Sequence, residues 1–242
     1  MIQTNHQSVI SQWVRAGILF NIPPSTTTPD LERLLLATAK SCETNPRLFI
    51  TVVTWLTRYG TYIARHRLKH LIITELNPEY RPVLALIIDS AITNGASHRL
   101  NIILEACEPA PNPRPLYQID QSDDWMTNLV KETATKTSQK WGRWVQPFEL
   151  KFDALQSPVH ILRNNEQFIS RALRRGDLRC SILEVLHHDV KNSRLPSESA
   201  LARKCAATTN AVRKALDQLE IEGIILRATT RTGNRNNPIK LR

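Results

Sequence analysis

Between residues 177 and 242 the residues that start and stop helices fall at spacings that leave this chain few folding options. Asp177 is placed as an N-cap, and Leu178, Ile182, Val185 and Leu186 then recur at i, i+4, i+7 and i+8, one face of a helix expected over 177–190. After Ser193-Arg194-Leu195, the run Pro196-Ser197-Glu198 opens a second, short helix. Ser197 can accept from a free backbone N–H there, and Glu198 suits the positive end of the helix dipole. That helix carries Leu201 and Ala202 and runs out near Cys205-Ala206-Ala207, where Thr208 or Thr209 can cap a third helix. On the third helix, expected over 208–222, Val212, Leu216 and Leu219 share a face with Ala211 and Ala215 beside them, so Asn210, Arg213, Lys214 and Asp217 project the other way. Gly223 ends it, Ile224-Ile225-Leu226 has strand character, Arg231-Thr232-Gly233-Asn234-Arg235-Asn236-Asn237-Pro238 is rich in turn formers, and Ile239-Lys240-Leu241-Arg242 returns as a closing strand. The order is helix, helix, turn, helix, hairpin.

Leu195-Pro196-Ser197-Glu198, Leu201-Ala202, Val212-Arg213, Ala215-Leu216, Leu219 and Glu222-Gly223 together resemble the DNA-binding domain of GntR-type bacterial transcription regulators, over about residues 178–242. The resemblance implies a winged helix-turn-helix, with the third helix in the major groove of duplex DNA and the hairpin, 228–242, as the wing. It also implies a role for Arg213, which matches an arginine of that family. At the start of the recognition helix this chain has Thr208-Thr209 where the family places a serine and then an arginine, so that contact is not carried over. The family's DNA-binding domain usually opens the chain, whereas here the motif lies towards its end, so no effector chemistry is inherited with it.

Charge supports the same region independently. Residues 163–242 hold 16 Lys+Arg against 8 Asp+Glu, a net of +8, out of +10 for all 242 residues. Such a surface attracts phosphates without sequence preference, and each phosphate neutralised steepens the salt dependence by about 0.9 in the log–log slope. Asn210, Arg213 and Lys214 are of the types that bond base edges, each good bidentate pair discriminating by roughly 1–3 kcal/mol. The DNA-facing set expected from sequence is Arg194, Ser197, Arg203, Lys204, Thr208, Thr209, Asn210, Arg213, Lys214, Arg231, Asn234 and Arg235. A lead-in helix over 166–175 carries Arg171, Arg174 and Arg175, with Arg179 just beyond, as possible further contacts, while Phe168, Ile169, Ala172 and Leu173 would dock its other face.

The remainder reads as helical. Candidate helices occupy 5–19, 29–42, 46–59, 62–76, 80–94 and 97–107, divided by Pro23-Pro24, Asn45-Pro46, Gly60, Asn77-Pro78 and Asn94-Gly95. The Asn-Pro to Gly spacing, used twice, fits either a stacked helix-pair array or a plain bundle. The fold class is therefore mainly α: an N-terminal helical domain (1–108), a proline-rich linker (109–118), a connecting segment (119–162) and a winged helix with its lead-in helix (163–242). Within the connecting segment an exposed helix is expected over 123–140. The aromatic alternation of Trp141, Trp144, Phe148 and Phe152 suggests strands, with the tryptophans filling a small core rather than stacking on bases.

Several function classes find no support. His66 and His70 stand at i, i+4, but there is no glutamate between them and Arg65, Arg67 and Lys69 oppose a divalent cation, so the segment reads as a basic helix face, either solvated or a second nucleic-acid contact. His187-His188-Asp189 suits the negative pole of a helix end. Cys42, Cys107, Cys180 and Cys205 are scattered and read as reduced core residues, not zinc ligands or a disulfide framework. No glycine loop, nucleophile elbow or carboxylate cluster suggests an enzyme, and no cofactor or metal is expected. Without an apolar span or signal sequence, the expected location is the cytoplasm, at the nucleoid. The function expected is a sequence-specific regulator of transcription, a repressor, acting as a homodimer on duplex DNA and meeting any protein partner through its N-terminal helices. The alternatives are an accessory or architectural subunit of a replication, recombination or defence machine, or a winged domain that docks protein alone.

Overall fold

The computed structural model describes residues 2–118, 124–190, 196–227 and 239–241. The first body of the fold contains α1 (Ile2–Arg15), α2 (Leu31–Ser41), α3 (Pro46–Tyr59), α4 (Arg65–Glu75), α5 (Arg81–Thr93) and α6 (Asn101–Leu104). It continues through β1 (Arg114–Pro115), α7 (Asp124–Thr133), α8 (Lys136–Trp141), β2 (Arg143–Trp144), α9 (Pro158–Asn164) and α10 (Gln167–Arg174). Then follow α11 (Leu178–His188), α12 (Glu198–Lys204), α13 (Thr209–Ile221) and the strands β3 (Ile225–Arg227) and β4 (Ile239–Leu241). The architecture is mainly α, with an N-terminal helical region and a C-terminal winged helix, as the sequence leads one to expect.

Local chemistry sets the helix starts. Asp30, Asn45, Ser157, Asp177, Ser197 and Thr208 each accept a hydrogen bond from a backbone N–H of the first turn that would otherwise be orphaned. α5 is apolar on nearly every side, with Pro82 to Ile88 all buried, so it must be covered all round. α2, α3, α6 and α8 pack against it, which makes this region a bundle around a central helix instead of a linear array. Its core also holds two tryptophans: Trp13 donates from Nε1 to Thr38 Oγ1 at 2.8 Å, Trp55 donates to the carbonyl of Ala16 at 2.9 Å, and the rings meet edge to face at 5.3 Å.

Among the described residues the buried apolar side chains form two separate cores, one drawn from Val9 to Phe168 and one from Ile182 to Ile239. The proline-rich stretch, read from sequence as a linker, lies against the first body. The Ala110 N–H donates to the carbonyl of Trp141 at 3.1 Å, Leu116 N–H to that of Trp144 at 3.0 Å, and β1 pairs in parallel with β2. Leu116, Trp141 and Val145 belong to the first core, so Trp141 does pack inside, its Nε1 donating to Asp89 at 2.8 Å. Strand character over 141–152 is confined to Arg143–Trp144, and the single helix expected over 123–140 is two, α8 restarting where Thr135 caps it.

α10 is rotated relative to expectation. Phe168 and Arg171 are buried and Ala172 packs on the core, whereas Ile169 and Leu173 are exposed. The turn from α10 into α11 passes flush against the first body. Gly176 has φ +62°, and a Cβ there would lie 2.0 Å from the backbone oxygen of Ile63. Neither the left-handed backbone nor that carbonyl can yield cheaply. Gly176→Ala is therefore expected to cost more than about 2 kcal/mol in urea unfolding; a change below about 0.5 kcal/mol would show the junction to be loose.

Candidate nucleic-acid interface

α11, α12 and α13 form the tri-helical core of the winged helix, closed by the β3–β4 ladder, in which Ile225 opposes Leu241, Leu226 opposes Lys240 and Arg227 opposes Ile239. Val212, Leu216 and Leu219 of α13 are buried with Leu201 and Ala202 of α12 and with Ile225 and Ile239 of the hairpin. The helical period then leaves Asn210, Arg213, Lys214 and Gln218 exposed on the outer face of α13, with Thr208 and Thr209 exposed at its N-terminus. The turn between the two helices closes through Ala206, whose φ of 44° is left-handed.

The side chains on this surface hold one another. Glu198, first residue of α12, accepts from Arg213 Nε at 3.1 Å and lies 3.8 Å from Arg227 Nη1. Arg227 in turn donates from Nε to Glu220 at 2.8 Å and from Nη2 to Asp217 at 2.6 Å, fixing the base of the wing to α13. Ser197 and Thr208 both act as caps, their oxygens accepting from Ala200 N–H at 3.3 Å and Ala211 N–H at 3.2 Å; the Ser197 hydroxyl also lies 3.0 Å from that of Ser199, whereas the Thr208 hydroxyl proton is left to meet a phosphate. Arg203 and Lys204 end α12, Arg203 exposed and Lys204 partly so. Thus Ser197, Arg203, Lys204, Thr208, Thr209, Asn210, Arg213 and Lys214 come together on the α12–α13 surface; Arg194, Arg231, Asn234 and Arg235 lie outside the described residues.

The lead-in arginines have other partners. Arg171 is 1% exposed, its Nη1 donating to Glu32 at 2.6 Å and to the carbonyl of Tyr62 at 3.0 Å, its Nη2 to Glu184 at 2.6 Å. A guanidinium so enclosed is withdrawn from any phosphate. Arg174 and Arg179 both pair with Glu222, and Arg179 also with Asp177, so their charges are largely spent beside the end of α13. Arg175 is exposed.

The same correction applies to α4. Its basic residues do not make a solvated face: Arg67 is wholly buried, bonding Asp30, Glu32 and Asp189, and Lys69 pairs with Glu105 at 2.6 Å. α4 packs on α11 and touches α12, so this helix is the seat of the winged domain. His66 has a buried Nδ1 with no hydrogen-bond partner among the described residues. Burial, then the charges of Arg65 and Lys69, lower its pKa. Burial and then Lys204 do the same for His70, so both imidazoles favour the neutral form. Among the described residues no His, Cys, Asp or Glu side chains gather in a group able to hold a metal ion.

The ion network beneath the winged domain was invisible in the motifs. It joins Asp30, Glu32 and Arg33 of the α2 start, Arg67 of α4, Arg171 of α10, and Glu184, His188 and Asp189 of α11 and its end. His188 does not merely face its helix pole: its Nε2 is 3.3 Å from Glu184 and its Nδ1 3.9 Å from Asp30. The four cysteines are buried and unpaired, and burial pushes the Cys205 thiol up to about 12.

A family model described as bacterial regulatory proteins, gntR family, matches residues 188–232, from the end of α11 across α12 and α13 into the wing. This domain type is a DNA-binding one, and its place in the chain is the C-terminal part. Neither the curated proteins nor the solved structures contain a match to the chain. No helix of the described residues is long and apolar enough to cross a membrane.

Proposed function

We propose that this protein is a sequence-specific regulator of transcription, a repressor, which binds duplex DNA as a homodimer with α13 in the major groove and the wing on the backbone or in the minor groove. The observation that carries this reading is the division of α13, with Val212, Leu216 and Leu219 sealed into the core and Asn210, Arg213 and Lys214 held outward beside the caps of two helices. Two helix N-termini with Arg203, Lys204 and Lys214 meet phosphate, while the Asn210 amide and the Arg213 guanidinium reach base edges. The family match over 188–232 supports the DNA-binding role. Occupancy of a promoter blocks polymerase, and a two-fold symmetric dimer reads half-sites about 10 base pairs apart.

Selection of bound duplexes from a random pool, followed by footprinting on the chain's own upstream region, tests this. The expected result is a palindromic consensus protected in both half-sites, with transcription from that promoter rising when the protein is removed. Salt-sensitive binding to every duplex alike would instead favour the accessory role in a larger nucleic-acid machine. Absence of DNA binding would leave the winged domain as a protein dock.

A further inference from the structure

On the helical body, a cleft of about 640 Å³ opens where the start of α5 meets the proline-rich segment and β2. Pro78, Pro82, Pro109 and Pro111 form its walls, and Arg81, Arg114 and Arg143 line it as well. Arg143 is only 5% exposed, yet among the described residues no carboxylate lies within ion-pairing distance of it. Its Nη1 donates to the carbonyls of Asn112 at 3.2 Å and Gly142 at 2.9 Å, while its Nε is buried with no partner. Arg81 is partly buried: Nη2 donates to the carbonyl of Ile73 at 3.3 Å, and Nε is buried with no partner among the described residues. Arg114 is matched by a carboxylate, at 2.8 Å from Glu43 and 3.9 Å from Glu79. It stands opposite Arg143 in the β1–β2 register, so one cation is buried beside another. Burial and then the charge of Arg114 lower the Arg143 pKa, against a weaker upward pull from Glu43 and Glu79.

We propose that this cleft is a binding site for a small ligand bearing one oxyanion group, a carboxylate or a phosphate monoester. A buried guanidinium with no carboxylate paired to it is costly, and the terminal nitrogens that remain, Nη2 of Arg143 and Nη1 of Arg81, can each give a charge-assisted hydrogen bond to such an oxyanion. Glu79 and Glu108 also line the cleft and Glu43 neutralises Arg114, so the site has no excess of positive charge, which disfavours a polyanion and limits the ligand to a single oxyanion at Arg143 and Arg81. The volume lies within the ordinary range for small-molecule sites, and proline walls hold their shape without a ligand.

The test uses the full chain with inorganic phosphate and with acetate, each titrated against chloride at matched ionic strength while melting temperature is followed. At least one oxyanion is expected to raise it saturably, by on the order of 5 °C, with phosphate against acetate preference telling the two sources apart. Arg143→Gln and Arg81→Gln should each weaken the apparent affinity at least about tenfold. Arg213→Ala should leave it unchanged, which separates this cleft from phosphate held at the α13 surface. The proposal is overturned if neither anion stabilises the protein beyond chloride, or if both glutamine variants respond as the parent does; should Arg143→Gln fail to fold, Arg81→Gln decides alone.

Discussion

Replacing Arg67 with methionine is expected to lower the unfolding free energy by about 3–5 kcal/mol, on the order of 10 °C in melting temperature for a chain of this length. Arg67 is fully buried, and three carboxylates depend on it. Nη1 donates to Asp30 at 2.7 Å and Glu32 at 2.9 Å, Nη2 to Asp30 at 2.7 Å and Asp189 at 3.0 Å, and Nε to Asp189 at 2.9 Å. Asp189 caps the end of α11, so the same side chain ties the winged domain to the helical body. The cost is that of stranding buried charge; it does not measure what the intact network contributes over an apolar core of equal volume. Arg33→Gln is the control, since Arg33 is 39% exposed and bridges the same Asp189 at 2.8 Å from the rim; its loss should cost less than about 1 kcal/mol. A deficit below about 1 kcal/mol for Arg67→Met as well would mean that the network closes without it.

The same network sets the response to acid. Burial pushes the Asp30 carboxyl up, but the hydrogen bonds and charge of Arg67 outweigh it and hold the group well below the ordinary carboxylate range. Glu184 is lowered in the same manner by Arg171 and His188 against burial, and Asp189 by Arg67 and Arg33. Groups whose folded pKa is depressed contribute fully above the unfolded value, about 4 for Asp and Glu, and lose that contribution as pH falls through the folded value. Melting temperature should therefore drop below about pH 4, and in Arg67→Met, already less stable at neutral pH, the further drop should be smaller, because without that guanidinium the folded pKa values of Asp30 and Asp189 move up towards the unfolded value.

What could be read in advance was local. The ends of α12 and α13 follow from Ser197 and Thr208 bonding an N–H three residues on, and from Val212, Leu216 and Leu219 repeating at helical spacing. The outward face of α13 needs nothing from elsewhere in the chain. The interior of the molecule required partners far apart: Arg67 meets Asp189 across 122 positions, and Arg171 meets Glu32 across 139. A cation within Arg65-His66-Arg67 looks like any solvated one until its acids are placed. A signal was nonetheless present. Glu32 precedes Leu35, Leu36 and Ala39 at i+3, i+4 and i+7, and Arg171 follows Phe168 by three, so each charge lies on an apolar stripe. Charges in such positions are buried and paired, or the helix is turned the other way. Arg171 as a DNA contact requires the second arrangement, and the inward Phe168–Arg171 face of α10 shows the first.

Changing Arg213 to alanine is expected to weaken binding to the selected consensus by about 1–3 kcal/mol, roughly 5- to 150-fold, with much less change on unrelated duplex. The guanidinium is on the outer face of α13, half-exposed, and its Nε is occupied by Glu198 at 3.1 Å, which leaves Nη1 and Nη2 as the fork that can face a guanine edge. Arg213→Lys should not restore the discrimination, because an ammonium lacks that fork. Glu198→Gln should separate orientation from charge: with a negative group gone, affinity for any duplex rises, while preference for the consensus falls because Arg213 is no longer aimed. Lys214→Ala gives the contrasting pattern, weaker binding to every sequence and a salt slope shallower by about 0.9. An exposed ion pair contributes under about 1 kcal/mol to folding, so a large loss of consensus binding by Arg213→Ala without a matching fall in melting temperature marks a contact with DNA. Equal consensus preference in the parent, Arg213→Ala and Arg213→Lys would remove Arg213 from the base-reading set and return specificity to Asn210 or to the shape of the duplex.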